Sequence, residues 1–216
     1  MKIETNPYKE FLNKYWKLVF FSDKKSLTKF IMDICESSIE IKDIYSFIIQ
    51  PFQVELGELW YENKISIAQE HYGTAVSQFV MTLLYKRIFA VPKNGKIFLG
   101  TCVKGELHEL GIRMVCDYME NSGYSTCYLG ANMDNRMVIQ RINEKKPNII
   151  AISCTMRFNI PRVSNLIQAI KSSGINTPLI VGGYPFNLDT NLCKEVGADA
   201  CSQSFEETYL ISEELC

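Results

Sequence analysis

Apolar residues recur at helical spacing through the first part of the chain. In residues 8–21 (YKEFLNKYWKLVFF) they fall at 8, 11, 12, 15, 16 and 19. This is the i, i+3, i+4 rhythm of a helix that buries one face. Residues 24–37 and 40–62 repeat it, and a fourth helix is predicted from Ser66 to about residue 89. Its start is marked by SIAQ, a capping box in which Ser66 caps the Gln69 amide and the Gln69 side chain reaches back. Four helices in residues 1–91 predict a small bundle.

The pattern changes after VPKNG, residues 91–95. Short apolar runs now alternate with amphipathic segments. KIFLGTC (96–102), YSTCYLG, PNIIAISCT, TPLIVGG and ADACS read as strands. The segments between them, such as ELGIRMVCDYMENSG (109–123) and IPRVSNLIQAIKSSG, read as helices, and SFEETYLISEEL follows the last strand. Five consecutive strand–helix units predict a five-stranded parallel sheet of Rossmann-like (flavodoxin-like) form over residues 95–216, covered by helices on both faces. The expected fold class is α/β, with a four-helix bundle ahead of the sheet domain. Ligands of such sheets sit beyond the carboxyl ends of the strands.

Charge and composition narrow the function classes. The formal net charge is −1 over 216 residues, with no basic block, so a nucleic-acid surface is not expected. No apolar run is long enough for a membrane span. The N-terminal MKIETNPYKEF has no apolar core of a signal peptide, and a cytoplasmic location is expected. Eight cysteines form no CxxC pair, which argues against zinc. Most are expected to be small buried hydrophobes.

Candidate chemistry gathers in the loops after the strands. The first, VKGELHELG (103–111), holds Glu106, Leu107 and His108, with Gly111 at the start of the next helix. Glu106 is placed to accept from one imidazole nitrogen, leaving the other to bind a metal. SCTMRF (153–158) offers the hydroxyls of Ser153 and Thr155, and VGGYPF (181–186) the paired Gly182 and Gly183, read as a slot for an elongated ligand. Upstream, WYENKISIAQEH sets Trp60 apart from the adjacent Glu70 and His71 by nine intervening residues. Taken singly, each signal has a plain structural reading: a polar loop histidine, a tight glycine turn, a tryptophan of the bundle core. Their position on successive strand ends is what points to a site.

E-L-H-E-L-G, then S-C-T, then G-G, in these places of a five-unit α/β domain, resembles the cobalamin-binding domain of corrinoid proteins. That resemblance implies His108 as the lower axial ligand of cobalt, Glu106 as its hydrogen-bond partner, and Gly111 as room under the corrin. Ser153, Thr155, Gly182 and Gly183 would line the channel for the cofactor tail. Trp60, Glu70 and His71 resemble the motif in the helical bundle of CarH/LitR-type light-sensing regulators, where the bundle caps the upper face of adenosylcobalamin. Two departures stand out. Tyr61 occupies the place where those regulators carry a further histidine, and their DNA-binding domain is not seen here.

Three functions follow as expectations. The leading one is a non-enzymatic sensor, light-responsive through adenosylcobalamin, that signals through a protein partner or a change of homo-oligomer. A corrinoid carrier shuttling methyl groups between methyltransferases, with methylcobalamin or hydroxocobalamin bound, is the alternative. A haem-binding variant of the same pocket is the third.

Overall fold

The computed structural model describes residues 6–21 and 23–216. The expectation for the N-terminal segment falls in part on residues 1–5, outside the described residues. The chain divides into two compact units, Met1–Ile88 and Phe89–Cys216.

The first unit is helical. Its elements are α1 (Lys9–Phe21), α2 (Lys24–Glu36), α3 (Ile41–Ile44), α4 (Gln50–Tyr61), α5 (Ile67–Leu83) and the short α6 (Tyr85–Ile88). Asp23 caps α2 by accepting from the Ser26 amide at 2.9 Å. Ser66 and Gln69 form the capping box of α5: the Gln69 amide donates to Ser66 Oγ (3.3 Å) and the Ser66 amide to Gln69 Oε1 (2.9 Å). The core is built from Tyr15, Ile31, Ile44, Ile48, Phe52, Leu56 and Met81, all fully or almost fully buried. Gly73 lets α5 approach α4, because a Cβ there would press on Leu56 Cδ2 at 2.8 Å.

One predicted helix differs in detail. Residues 40–62 read as a single α-helix, but Tyr45–Ile49 form a π-helical turn between α3 and α4. The cause is Pro51, which has no N–H to give the carbonyl four residues back and whose ring crowds it. That carbonyl belongs to Phe47, and it accepts instead from Asn6 Nδ2 at 2.9 Å.

The second unit is a parallel sheet of β1 (Ile97–Cys102), β2 (Ser125–Tyr128), β3 (Ile149–Ser153), β4 (Leu179–Gly182) and β5 (Ala200–Ser202), in spatial order β2-β1-β3-β4-β5. The helices between and after them are α7 (Leu110–Asn121), α8 (Asn135–Lys145), α9 (Ile160–Ser172), α10 (Tyr184–Leu188), α11 (Asn191–Val196) and α12 (Phe205–Leu215). Side chains alternate across the strands. Leu99, Ile150, Ile152, Leu179 and Val181 pack with α8, α9 and α11 on one face, while Phe98, Ile149, Ala151 and Ile180 pack with α7 and α12 on the other. Each fully buried Leu, Ile or Phe contributes roughly 1.5–3 kcal/mol to holding the layers together. The short helix α10 stands where the sequence reads as loop; Pro185 in its first turn is preset for a helix start.

The chain runs from β1 to β2 on one side and then returns to place β3 on the other. Their connections leave the sheet in opposite directions, so a crevice opens at the carboxyl ends of β1 and β3. Cys102 and Ser153, the last residues of these strands, are partners in register. No helix among the described residues is long and apolar enough to cross a membrane. Cys35, Cys102, Cys116, Cys127 and Cys154 are buried and unbridged, Cys216 is exposed, and Cys193 and Cys201 are joined as a disulfide with their Cα atoms 5.8 Å apart. That pairing has no counterpart in the sequence reading.

Candidate functional site

The loop after β1 is held in shape from two sides. Gly105 turns it at φ +83°, and its N–H donates to Asn132 Oδ1 at 2.8 Å. Asn132, itself left-handed at φ +56°, returns its own N–H to the Glu106 carbonyl at 2.9 Å. The loops after β1 and β2 are thereby clasped together. A second tie runs from the Ala131 amide to Glu109 Oε2 at 2.8 Å.

Inside this clasp Glu106 is fully buried. Its Oε1 receives the ring Nδ1 of His108 (2.6 Å) and the His108 amide (3.1 Å). Its Oε2 receives the amides of Thr155 and Met156, each at 3.0 Å, and the Asn159 side-chain amide at 3.1 Å. The three backbone amides and the Asn159 NH2 can only donate, so the carboxyl must be an acceptor on both oxygens. Burial alone would push its pKa up. The hydrogen bonds from the His108 ring, the Met156 and His108 amides and Asn159 outweigh that and hold it well below the ordinary 4.5. An ionised Glu106 fixes the histidine as well. Its Nδ1 carries the proton and donates, which puts the basic lone pair on Nε2. The His108 side chain is 57% exposed, and Leu107 beside it is 70% exposed.

The loop after β3 supplies the rest of the cradle. Ser153 is buried at the end of the strand, and Thr155 holds Glu106 through its backbone amide. Gly111 lies in the first turn of α7, and a Cβ there would meet nothing nearer than Ser153 Oγ at 4.0 Å. Packing does not require glycine at this position, so the space is open to a ligand. Gly182 and Gly183 have a different reason. A Cβ on Gly182 would meet the Ser202 carbonyl at 2.9 Å, and one on Gly183 (φ +106°) would run into the Cys154 backbone. These two glycines serve close approach between neighbouring backbones rather than an open slot. Cys102 and Cys154 line the same strand ends. Burial and the adjacent Glu106 charge push both thiols up, Cys154 to about 12, which leaves them inert as thiolates at neutral pH.

Three contributors escaped the sequence reading: Asn132, Asn159 and Arg162. Asn159 precedes Ile160-Pro161 and reads as a helix cap. It occupies the cap position of α9, but its side chain makes no capping bond and turns inward to Glu106. The signal was present and its direction was not.

The helical unit holds the second set of candidates. Trp60, in the last turn of α4, is 46% exposed. Glu70 and His71 start α5 and pair directly, His71 Nδ1 to Glu70 Oε2 at 2.6 Å. Glu70 Oε1 accepts from Thr74 Oγ1 (2.9 Å), which also reaches Gln53 Oε1 (3.0 Å). Gln53 Nε2 donates to Ser77 Oγ at 2.8 Å, and Ser77 meets the buried Tyr15 hydroxyl at 3.2 Å. The pair is thus anchored from behind by a chain of polar groups.

A sequence profile for the B12 binding domain matches residues 96–211, more than half of the chain and the whole of the sheet with the Glu106–His108 loop. The chain belongs to the B12 binding domain family. A second profile of the same description matches residues 12–85, in the helical unit. Relatives of this B12 binding domain protein include dimethylamine corrinoid protein 3 of Methanosarcina mazei, 25% identical over 128 residues, covering 58% of this chain and 75% of the relative. Trimethylamine corrinoid protein 1 of Methanosarcina acetivorans is 25% identical over 154 residues, covering 70% of this chain and 69% of the relative. Among solved structures, the monomethylamine corrinoid protein of Methanosarcina barkeri superposes with a TM-score of 0.81 at 16% identity, over 97% of this chain and 100% of that one. The methanol:cobalamin methyltransferase complex MtaBC of Methanosarcina barkeri gives 0.53 at 15% identity, over 97% of this chain and 80% of that one.

These relatives correct the leading expectation. The light-responsive adenosylcobalamin sensor drawn from Trp60, Glu70 and His71 is overturned, since the similar proteins are corrinoid proteins named for methylamines and a methyltransferase complex. The cobalamin-binding family is what these relatives support; the likeness to CarH/LitR-type regulators is not shown by them. Cobalamin binding itself stands.

Proposed function

We propose that this protein is a corrinoid carrier of a methyltransferase system, holding a methyl group on cobalt for partner methyltransferases. The observation that carries the reading is the buried Glu106 paired with the exposed His108 at the β1/β3 crevice, its carboxylate satisfied by donors alone. The names of the relatives supply the methyl chemistry.

The residues present fit the group. His108 would hold the cobalt through Nε2, and the fixed negative charge of Glu106 would strengthen the imidazole as a donor. Gly111 and the Ser153 hydroxyl, with Thr155 beside them, would give the cofactor open, polar space. Leu107, Phe158 and Tyr184, exposed apolar residues that follow β1, β3 and β4 in the chain, present surface that suits the flat apolar face of a corrin. When bound, the corrinoid supplies a cobalt centre that accepts and releases a methyl group. The protein's own part is to bind it, to hold the proton on Nδ1 of His108, and to keep Nε2 aimed at the metal. In this reading the group carried would be methyl, not adenosyl, and the protein partners would be the methyltransferases that load and unload it.

The test is reconstitution with hydroxocobalamin and with methylcobalamin, followed by removal of excess and a visible spectrum. A bound spectrum with histidine on cobalt, lost in His108→Ala, is expected. Failure of both corrinoids to bind would refute the reading. Binding without methyl transfer to or from any methyltransferase of the methylamine or methanol type would refute the carrier part of it.

A further inference from the structure

The last strand of the sheet carries a covalent tie that the site does not use. β5 has three residues and is hydrogen-bonded on one side only, to β4. An edge strand so short has few ladder bonds to hold it. Its middle residue, Cys201, is joined to Cys193 of α11, eight positions earlier, with the Cα atoms 5.8 Å apart. That separation lies in the range a disulfide spans without moving the backbone.

The bond is placed to open and close. Cys201 is partly exposed, so a thiolate from solution can reach its sulfur, and the buried Cys193 is the leaving group. The backbone around the pair is fixed by other bonds. The Ala198 amide donates to the Cys193 carbonyl (3.0 Å), and Lys171 Nζ to the Gly197 carbonyl (2.7 Å). The Asp199 amide donates to the Leu179 carbonyl (2.9 Å), and the Leu179 amide to Asp199 Oδ2 (2.7 Å). With the disulfide open, the two cysteines therefore remain neighbours and can join again.

The strand end beyond the bond backs the loop after β3. Ser202, next to Cys201, sets its carbonyl against Gly182, where a Cβ would meet it at 2.9 Å. Gly183 packs on the Cys154 backbone, and the Cys154 amide donates to the Gly182 carbonyl at 3.0 Å. The next two amides, of Thr155 and Met156, are those that hold Glu106.

We propose that Cys193 and Cys201 form a reversible thiol–disulfide switch that fastens β5 and, through the end of β4, steadies the Thr155–Met156 amides. Opening consumes two small-molecule thiols. The first attacks the Cys201 sulfur as thiolate; the S–S bond breaks, and Cys193 leaves and takes up a proton. The second thiol then frees Cys201 and departs joined to the first as a disulfide. Closing is the reverse, with a small-molecule disulfide as oxidant, reduced to two thiols. The switch concerns the chain alone and does not rest on the corrinoid reading.

The experiment equilibrates the native full chain, free of oxygen, over a series of ratios of glutathione to its disulfide. The thiols are trapped by acid, alkylated after denaturation and located by mass spectrometry of peptides. Cys193 and Cys201 should pass together from joined to alkylated along the series. A pair still joined in excess dithiothreitol, a pair never joined at the most oxidising ratio, or glutathione left on Cys201 in place of the bridge each overturns the proposal. Amide hydrogen exchange of the two forms reads the consequence. Exchange at Ala200–Ser202 and at Thr155 and Met156 should be faster in the reduced chain by at least about tenfold, the low end of what closing a short loop contributes. Equal exchange in the two forms overturns the switch even if the bond is reversible. Cys201→Ser should match the reduced chain and ignore the glutathione ratio, while Cys216→Ser should respond as wild type does. Since both forms of the wild-type chain are compared directly, a variant that fails to fold leaves the outcome decided.

Discussion

Replacing Glu106 with glutamine is a demanding test of the donor inventory, because it exchanges one oxygen for an NH2 and changes almost no volume. The new side chain keeps one acceptor oxygen and gains an NH2. If the NH2 faces the Oε2 side it opposes three donors: the Thr155 and Met156 amides and Asn159. On the Oε1 side it opposes only the His108 amide and ring, and the ring can adapt. The proton moves from Nδ1 to Nε2, and Nδ1 accepts from the glutamine. The oxygen then keeps its three donors, and the net loss is one orphaned backbone amide, that of His108. An unmade hydrogen bond of this kind costs about 1–3 kcal/mol. Metal binding suffers more, because the nitrogen that would meet cobalt now carries a proton. The apo variant should therefore fold, unfold in urea with a free energy lower by about 1–3 kcal/mol, and show His108 protonated on Nε2 by nitrogen NMR. Its affinity for hydroxocobalamin should fall at least tenfold. Unchanged stability together with an unchanged tautomer would refute the reasoning.

Further outcomes follow from the same geometry. Gly111→Ala, meeting nothing nearer than Ser153 Oγ, should leave apo stability within about 0.5 kcal/mol while weakening corrinoid binding. Gly183→Ala, at φ +106° against the Cys154 backbone, should cost at least about 2 kcal/mol by urea unfolding whether or not cofactor is present. Since the folded pKa of Glu106 lies below its ordinary 4.5, the carboxylate's stabilisation is complete above that value and declines as pH falls below it; urea midpoints of wild type and Glu106→Gln should converge on acidification. Thiol labelling of the native chain should modify the exposed Cys216 first and leave Cys102 and Cys154 slow, and Cys216→Ser should remove the fast phase.

Much of the fold was legible because its signals are periodic. Alternation of strand and helix patterns after residue 95 implied a parallel sheet, and Ser66 to Gln69 announced a helix start that the structure builds bond for bond. Isolated departures from periodicity were harder. Pro51 inside an apolar helical pattern does not say whether the helix breaks, kinks or widens, and the answer depends on Asn6, far away in sequence, finding the Phe47 carbonyl. Asn159 stands where asparagines before helices usually cap, yet its side chain makes no capping bond and reaches Glu106. Its inward turn depends on Glu106 and the Gly105 carbonyl, which only the folded chain brings to it. The function misled for another reason. An indole with an acid–imidazole pair describes surface that can meet a corrinoid, and carries no mark of whether the group above cobalt is adenosyl or methyl.

The π-helical turn at Tyr45–Ile49 also sets a rotational phase. Each residue of an α-helix advances the chain by about 100°, so one residue accommodated in a wider turn offsets everything after it by that angle relative to everything before. The face that α4 buries through Phe52 and Leu56, and the side on which Trp60 emerges, are thus indexed to a single extra position tolerated upstream. Redrawing Tyr45–Ile49 as regular α at unchanged length would swing Trp60 by about 100°, whereas deleting one residue from the turn would straighten it and leave Trp60 on nearly the same side. The address of that tryptophan is written in residue count as much as in residue type.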